Sequence, residues 1–340
     1  MEKNRVSARR TAAHDLVAIG EPLLRLSPPP GQQLRQASTL RLTLAGAQMN
    51  VAADLARLGW KTALLTKLPE NALGQWSLDM LRSFGVDVSL IRLEPDSRMG
   101  LTFVEHSAAP RPPLSIFDRR GTAASTIRDG DFDLDAVLRG ARMAYTDGIF
   151  SGLSPGCTRT AARFLATARR HRATTCFDLN YRRHLWTPAR ARRVWRTLLK
   201  DVDILVTNRG VSEEVFGFRG SDEQLMRAYA TEFGCGVVCL TIREMSGLRR
   251  GAWRSMVLAG GTVTESGRKE FEVVDRYGTG DAWFAGFLHA WVAQGDPDFA
   301  LRFGNALCAL AHTVEGDVAN VALADVLAAL EDAPDLEVKR

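Results

Sequence analysis

The chain has 340 residues, 46% of them hydrophobic and 24% charged, and a formal net charge of +5. This is an ordinary globular balance, and the length allows one large α/β domain or two ordinary ones, with ample core either way. No apolar run approaches the ~20 residues that span a bilayer, so no membrane partner is expected and the location is expected to be cytoplasmic.

The first stretch, "MEKNRVSARRTAA" (1–13), is basic and lacks the apolar centre of a secretory signal. It is expected to be a disordered arm ahead of a single domain over 14–335. The five cysteines are scattered with no Cys-x-x-Cys pair, and there is no His-Glu-x-x-His. That pattern points to reduced, buried thiols and to no protein-built metal cage. The arginines of "ARRHR" (168–172) and "PARARRVWR" (188–196) alternate with apolar positions at helical spacing. They read as solvated helix faces, so no nucleic-acid partner is expected, although a positive surface favours anionic small molecules.

From residue 14 onward apolar strands alternate with amphipathic helices. "HDLVAIG" (14–20), "TALLTKL" (62–68), "ARMAYTDG" (141–148), "ATTCFDLN" (173–180), "DILVTN" (203–208) and "GVVCLTI" (236–242) predict strands. Between them, "QMNVAADLARLGW" (48–60), "LGQWSLDMLRSFG" (73–85), "TRTAARFLATARRH" (158–171) and "RARRVWRTLLKD" (190–201) predict helices. Near-continuous apolar strands separated by helices indicate a mostly parallel sheet covered on both faces. Residues 34–46 and 100–123 instead alternate with period 2. They are expected to form a small β-sheet lid, suited to closing over a ligand or to pairing with a second copy in a homodimer.

Polar clusters follow the strands at Gly20-Glu21-Pro22, 146–155, 178–183, 207–210 and 275–281. In an open α/β sheet, ligands bind beyond the carboxyl ends of the strands, so these clusters define one candidate site. The last, "DRYGTGD", feeds an apolar helix. It is neither a Walker loop nor a dinucleotide fingerprint, since Trp283 stands where the third glycine would be. A Gly-x-Gly-Asp turn at a helix start offers free N–H groups to a transferred phosphoryl group. Asp281 at its edge could accept the proton of an attacking hydroxyl. Its alternative role is a plain N-cap.

Several of these segments together resemble the ribokinase-like (PfkB) carbohydrate kinases, within them those acting on 2-keto-3-deoxygluconate. The segments are "GEPLLRLSPP" (20–29), "AGAQMNVAADLARLG" (45–59), "FDLNYRRHLW" (177–186), "VVDRYGTGDAWFAG" (273–286) and "AHTVEGDVAN" (311–320). The resemblance implies a ribokinase-like fold and transfer of the ATP γ-phosphate to the C6 hydroxyl of the sugar acid. ATP and Mg²⁺ are the implied cofactors, with a monovalent cation near Asp275. It makes Asp281 the general base and Gly278, Thr279 and Gly280 the anion hole. Gly46, Asn50, Thr102 and Phe117 would line the sugar pocket, with Arg119 and Arg182 on the keto-acid end. Asn208, Thr241, Arg243, Asn305 and His312 would surround the nucleotide.

The chain departs from the family pattern at Ala45, Gln48, Thr102 and Phe117. In "NRGV" (208–211), Val211 replaces an acidic residue that organises the Mg²⁺ surroundings, leaving Glu213 or Glu214 as candidates to compensate. Two other readings stand beside this one: a fructokinase-like enzyme for a neutral ketose, against which Arg119 and Arg182 weigh, and a non-catalytic sugar-binding protein on the same scaffold, motivated by Val211 and Ala45.

Overall fold

The computed structural model describes residues 14–330, so the basic arm lies outside the described residues. Fourteen strands follow one another along the described chain. The first seven are β1 (Leu16–Ile19), β2 (Leu23–Ser27), β3 (Arg41–Ala45), β4 (Thr62–Pro69), β5 (Ile91–Glu94), β6 (Gly100–Glu105) and β7 (Leu114–Asp118). Next come β8 (Met143–Asp147), β9 (Thr174–Asp178), β10 (Ile204–Thr207), β11 (Val237–Met245) and β12 (Arg250–Ala259). The last are β13 (Thr262–Glu265) and β14 (Lys269–Glu272).

Ten of them form one sheet in the order β13-β12-β11-β10-β9-β8-β1-β4-β5, with β14 also paired to β12. From β11 to β5 every pairing is parallel. Successive residues of β1 show why the strand is apolar throughout. Leu16 and Ala18 pack into one core with the helices Ala47–Arg57, Thr279–Gln294 and Pro297–His312. Val17 and Ile19 pack into another with the helices Pro155–Arg170, Pro188–Leu198 and Asp222–Phe233. Both faces being covered, neither set of side chains can be polar. The five cysteines are free and buried in these layers.

The antiparallel edge β12–β14 has no counterpart among the strands predicted from sequence. Its signal was nonetheless local: Gly260 and Gly261, both at positive φ, make the tight turn between β12 and β13, and paired glycines between β-rich runs mark a hairpin.

A separate four-stranded sheet, in the order β3-β2-β6-β7, forms the small lid. Residues 100–123 contribute the hairpin of β6 and β7 as expected. Of 34–46, only Arg41–Ala45 is strand, because 34–36 is a short 3₁₀ turn. The lid also takes β2, which pairs with β3 on one side and β6 on the other. No helix among the described residues is long and apolar enough to cross a membrane.

Candidate active site

The sheet order fixes where a ligand can lie. From β1 the chain steps to β4 and β5 on one side, and then to β8, β9, β10 and β11 on the other. That reversal opens a crevice beyond the carboxyl ends of β1 and β8. A cleft of about 730 Å³ lies along the edge next to it, lined among others by Asp178, Arg182, Asn208, Thr241, Arg243 and the turn from Arg276 to Asp281.

Gly278 is the N-cap of the helix Thr279–Gln294, at φ 71°. A Cβ there would stand 1.8 Å from the backbone oxygen of Asp317, so only glycine fits. Thr279, Gly280 and Asp281 are the first three helical residues, and their N–H groups precede the first intrahelical bond, Ala282 N–H to Gly278 O at 2.8 Å. Asp281 is therefore not the cap. Its carboxylate makes no capping bond and accepts from Asn50 Nδ2 at 2.7 Å. The Thr279 hydroxyl accepts from Arg243 Nη2 at 2.8 Å, and Arg243 lies over the Trp253 ring.

Three carboxyl groups influence one another here. Burial pushes Asp281 well above the ordinary carboxylate range; the Asn50 hydrogen bond opposes this, Asp178 and Asp147 add to it, and Arg182 pulls it back. Burial likewise lifts Asp178 to about 7, with Asp147 adding to the shift. Asp147 is lifted to about 6 by burial, held down by the Phe150 N–H (2.8 Å) and the Asn180 amide (3.0 Å). A carboxyl group whose pKa is raised toward neutrality is a better proton acceptor when ionised.

The residues expected to meet a sugar lie on the lid side of this cluster. Gly46, at φ 146°, starts the helix Ala47–Arg57 with its Cα against Glu21: a Cβ would be 2.4 Å from the Glu21 backbone oxygen. Asn50 is buried, and its Oδ1 has no hydrogen-bond partner among the described residues; the Thr102 hydroxyl on β6 is in the same state. Arg119 Nε lies 3.0 Å from Glu21 Oε2, an ion pair without hydrogen-bond alignment, while Thr122 donates to Glu21 Oε1 at 2.6 Å. The carboxylate facing Arg119 is thus one of the chain's own. Phe117 stacks on His184 with ring centroids 4.7 Å apart, joining the lid to the segment that carries Arg182. Arg182 is exposed on the cleft and has no carboxylate partner among the described residues; it donates only to the Tyr181 carbonyl at 3.1 Å.

The residues expected around a nucleotide separate into two groups. Asn208, Thr241 and Arg243 line the cleft together with Arg209, Arg254 and Arg276. Asn208 also caps the next helical turn, its Oδ1 accepting from Val211 N at 3.0 Å. Asn305 and His312 do not line it. Asn305 is 2% exposed and is spent on Ser255, Ser266 and the Trp283 indole. His312 is fully buried, stacked on Phe271 at 3.7 Å with Nδ1 bonded to the Cys308 carbonyl. Both sit in a helix with two buried faces, which "GNALCALAH" shows only once its neighbours are known. Val211 lines the cleft, whereas Glu213 is held by Arg209 and Glu214 by both nitrogens of an Arg183 fork. Neither glutamate lines the cleft.

The sequence singles out the clusters that contain Glu21, Asp147 and Asp178 but assigns those residues no roles. Each ends or follows a strand of the central sheet, which was the available signal. Among the described residues no group of three or more His, Cys, Asp and Glu side chains is arranged to hold a metal ion.

Comparison with known proteins bears on the family and the fold. Residues 13–322 match the model of the pfkB family carbohydrate kinases. The chain is 38% identical over 307 residues to a 2-dehydro-3-deoxygalactonokinase of Haloferax volcanii, covering 90% of this chain and 93% of that one. It is 29% identical over 305 residues to a 2-dehydro-3-deoxygluconokinase of Thermoproteus tenax, covering 89% of each. The crystal structure of the Thermotoga maritima 2-dehydro-3-deoxygluconokinase superposes with a TM-score of 0.89 at 31% identity, over 94% of this chain and 99% of that one. The chain belongs to the pfkB family of carbohydrate kinases, and it is a sugar kinase with the ribokinase-like fold related to those acting on 2-keto-3-deoxy sugar acids.

Proposed function

We propose that the protein transfers the γ-phosphate of ATP to the terminal C6 hydroxyl of 2-keto-3-deoxygluconate. The observation that carries the acid specificity is Arg182: a cation on the cleft beside the carboxylate cluster, in direct ion-pair contact with no carboxylate among the described residues. A guanidinium meets a substrate carboxylate with two donors at once. Arg119 adds positive charge on the lid side, shared with Glu21. The unpaired Asn50 Oδ1 and Thr102 hydroxyl supply hydrogen-bonding capacity suited to a polyol.

In this reading Asp281, held by Asn50, accepts the C6 hydroxyl proton as that oxygen attacks the γ-phosphorus, the bond from that phosphorus to the β–γ bridging oxygen breaks, and ADP leaves. The N–H groups at the start of the helix Thr279–Gln294 stabilise charge on the transferred phosphoryl group. The arginines lining the cleft hold the polyphosphate. The donor set of the cleft fits a Mg²⁺ brought in on the nucleotide better than a protein-built cage: Asp178 lines the cleft, and its carboxylate accepts, among the described residues, from Asn180 N alone. Bound there, Mg²⁺ would offset negative charge on the phosphates.

A second substrate reading, the galactonate epimer, is favoured by the Haloferax volcanii relative at 38% identity. The test is ADP release with 2-keto-3-deoxygluconate, 2-keto-3-deoxygalactonate and fructose. Preference for the first confirms the proposal, preference for the second replaces the sugar, and preference for fructose overturns acid specificity.

The partner proposed for the lid is a second copy. The edge strand β7 leaves Leu114 and Ile116 exposed at 44% and 49%, a liability that edge strands otherwise avoid. Light scattering should show a dimer that Ile116→Glu converts to monomer; a wild-type monomer would refute this.

A further inference from the structure

The resemblance carries an expectation of a monovalent cation near Asp275, and the residues present do not fit one. The space between Asp275 and Asp317 is filled by the guanidinium of Arg25, which reaches it from lid strand β2 and is only 2% exposed. Its Nη2 donates to Asp275 Oδ2 at 2.5 Å and its Nη1 to Asp317 Oδ2 at 2.7 Å. Nε bonds the Ser27 hydroxyl at 3.3 Å, Nη2 lies 2.8 Å from His106 Nε2, and the group stands over the Tyr277 ring at 4.7 Å. The remaining capacity of Asp275 is taken as well: Oδ1 accepts from the N–H groups of Arg276 and Tyr277, and Oδ2 also from Gly316 N–H. A second cation would have to sit against a buried positive charge with both carboxylates already engaged.

These two carboxylates flank the phosphate turn. Asp275 lies three residues before Gly278 and orders the intervening backbone, and Asp317 packs its carbonyl directly on the Gly278 Cα. Left alone, they would place two negative charges where an anion must bind. We infer that Arg25 is a built-in cation, a positioning residue that holds Asp275 and Asp317 against the Gly278 turn, so that nucleotide binding needs no monovalent metal ion. Because Arg25 sits on β2 and His106 follows β6, the same contact ties the lid to the turn. Burial leaves the Asp317 carboxyl at about 6 even with Arg25 beside it, which agrees with a group that depends on that neighbour for its charge.

The inference rests on the reading of this turn as the phosphate site, and its test avoids the sugar. ADP affinity by calorimetry and the melting temperature are measured in potassium and in tetramethylammonium at equal ionic strength. The wild-type protein should give the same values in both salts. Arg25→Ala should bind ADP at least about tenfold more weakly in tetramethylammonium, since removing one partner strands buried charge, and should recover several-fold on adding potassium or a low concentration of guanidinium. A merely destabilised protein would gain nothing from guanidinium. Should Arg25→Ala fail to fold, Arg25→Lys keeps the charge and should remain indifferent to potassium. Potassium raising wild-type ADP affinity or melting temperature overturns the inference, as does an Arg25→Ala protein that binds ADP like the wild type or that no cation rescues. A wild-type protein that binds no ADP in either salt overturns the phosphate-site reading itself.

Discussion

Asn50 Nδ2 donates to Asp281 Oδ2 over 2.7 Å, joining two residues 231 positions apart in the chain. The bond ties a carboxylate in the first turn of the helix Thr279–Gln294 to the helix Ala47–Arg57, so that it is held by one helix against another rather than by capping.

Asp281→Asn should keep this contact, since the amide retains an oxygen for Asn50, while losing the proton acceptor. Turnover should fall by ~10²–10⁴-fold, the usual contribution of a general base, with ADP affinity and melting temperature near wild type. A mutant with wild-type kcat would leave Asp281 a structural residue.

The electrostatics of Asp281 give a pH prediction with a definite sign. Its pKa is raised by burial and lowered by Arg182. The base works only when ionised, so kcat/KM should fall as pH drops through a value above the ordinary carboxylate range. Removing the cation in Arg182→Leu should move that acidic limb to higher pH. The same substitution should weaken the keto-acid substrate more than fructose. Arg182 is exposed, so solvent screening favours the low end of the ~1.5–3 kcal/mol for a charged hydrogen bond, or roughly tenfold. A limb that stays put, or equal losses on both sugars, would remove Arg182 from the site.

Val211→Glu tests the acidic position that the chain lacks. Glu213 and Glu214 are occupied by Arg209 and Arg183, so neither supplies a carboxylate to the cleft. Restoring one at residue 211, which lines the cleft, should lower the Mg²⁺ concentration at half-maximal rate. An unchanged requirement would mean that the substrate phosphates alone determine it.

Asp54 offers a prediction about stability away from the site. It is 2% exposed, its Oδ1 accepts from Ala319 N at 2.9 Å, and Oδ2 has no partner among the described residues. Burial pushes its pKa up to about 8 from 3.8. The folded state therefore holds a proton that the unfolded chain releases between those values, and unfolding becomes easier as pH rises through that window, by about 1.4 kcal/mol per unit. Asp54→Asn keeps the acceptor and removes the titration. Its melting temperature should exceed that of the wild type at pH 8, and the difference should close as pH falls toward 4. Loss of stability at pH 8 would refute the assignment.

What the sequence by itself determined is local. The strand and helix order from residue 14 to Val237–Met245 follows from periodicity, because a strand covered on both faces must be apolar at every position and a covered helix at every third or fourth. The Gly278-Thr279-Gly280-Asp281 turn is legible in a few consecutive residues, although the Asp317 carbonyl that bars a Cβ at Gly278 is brought there by the fold. Only the tertiary structure decided which charges meet. Arg25 reaches Asp275 and Asp317 across 250 and 292 positions, and Arg119 is drawn to Glu21 rather than left free. Asn305 and His312 are buried by the edge strands that sequence reading had passed over. The partner of a buried charge depends on which strands lie side by side, and no stretch of a few residues contains that information.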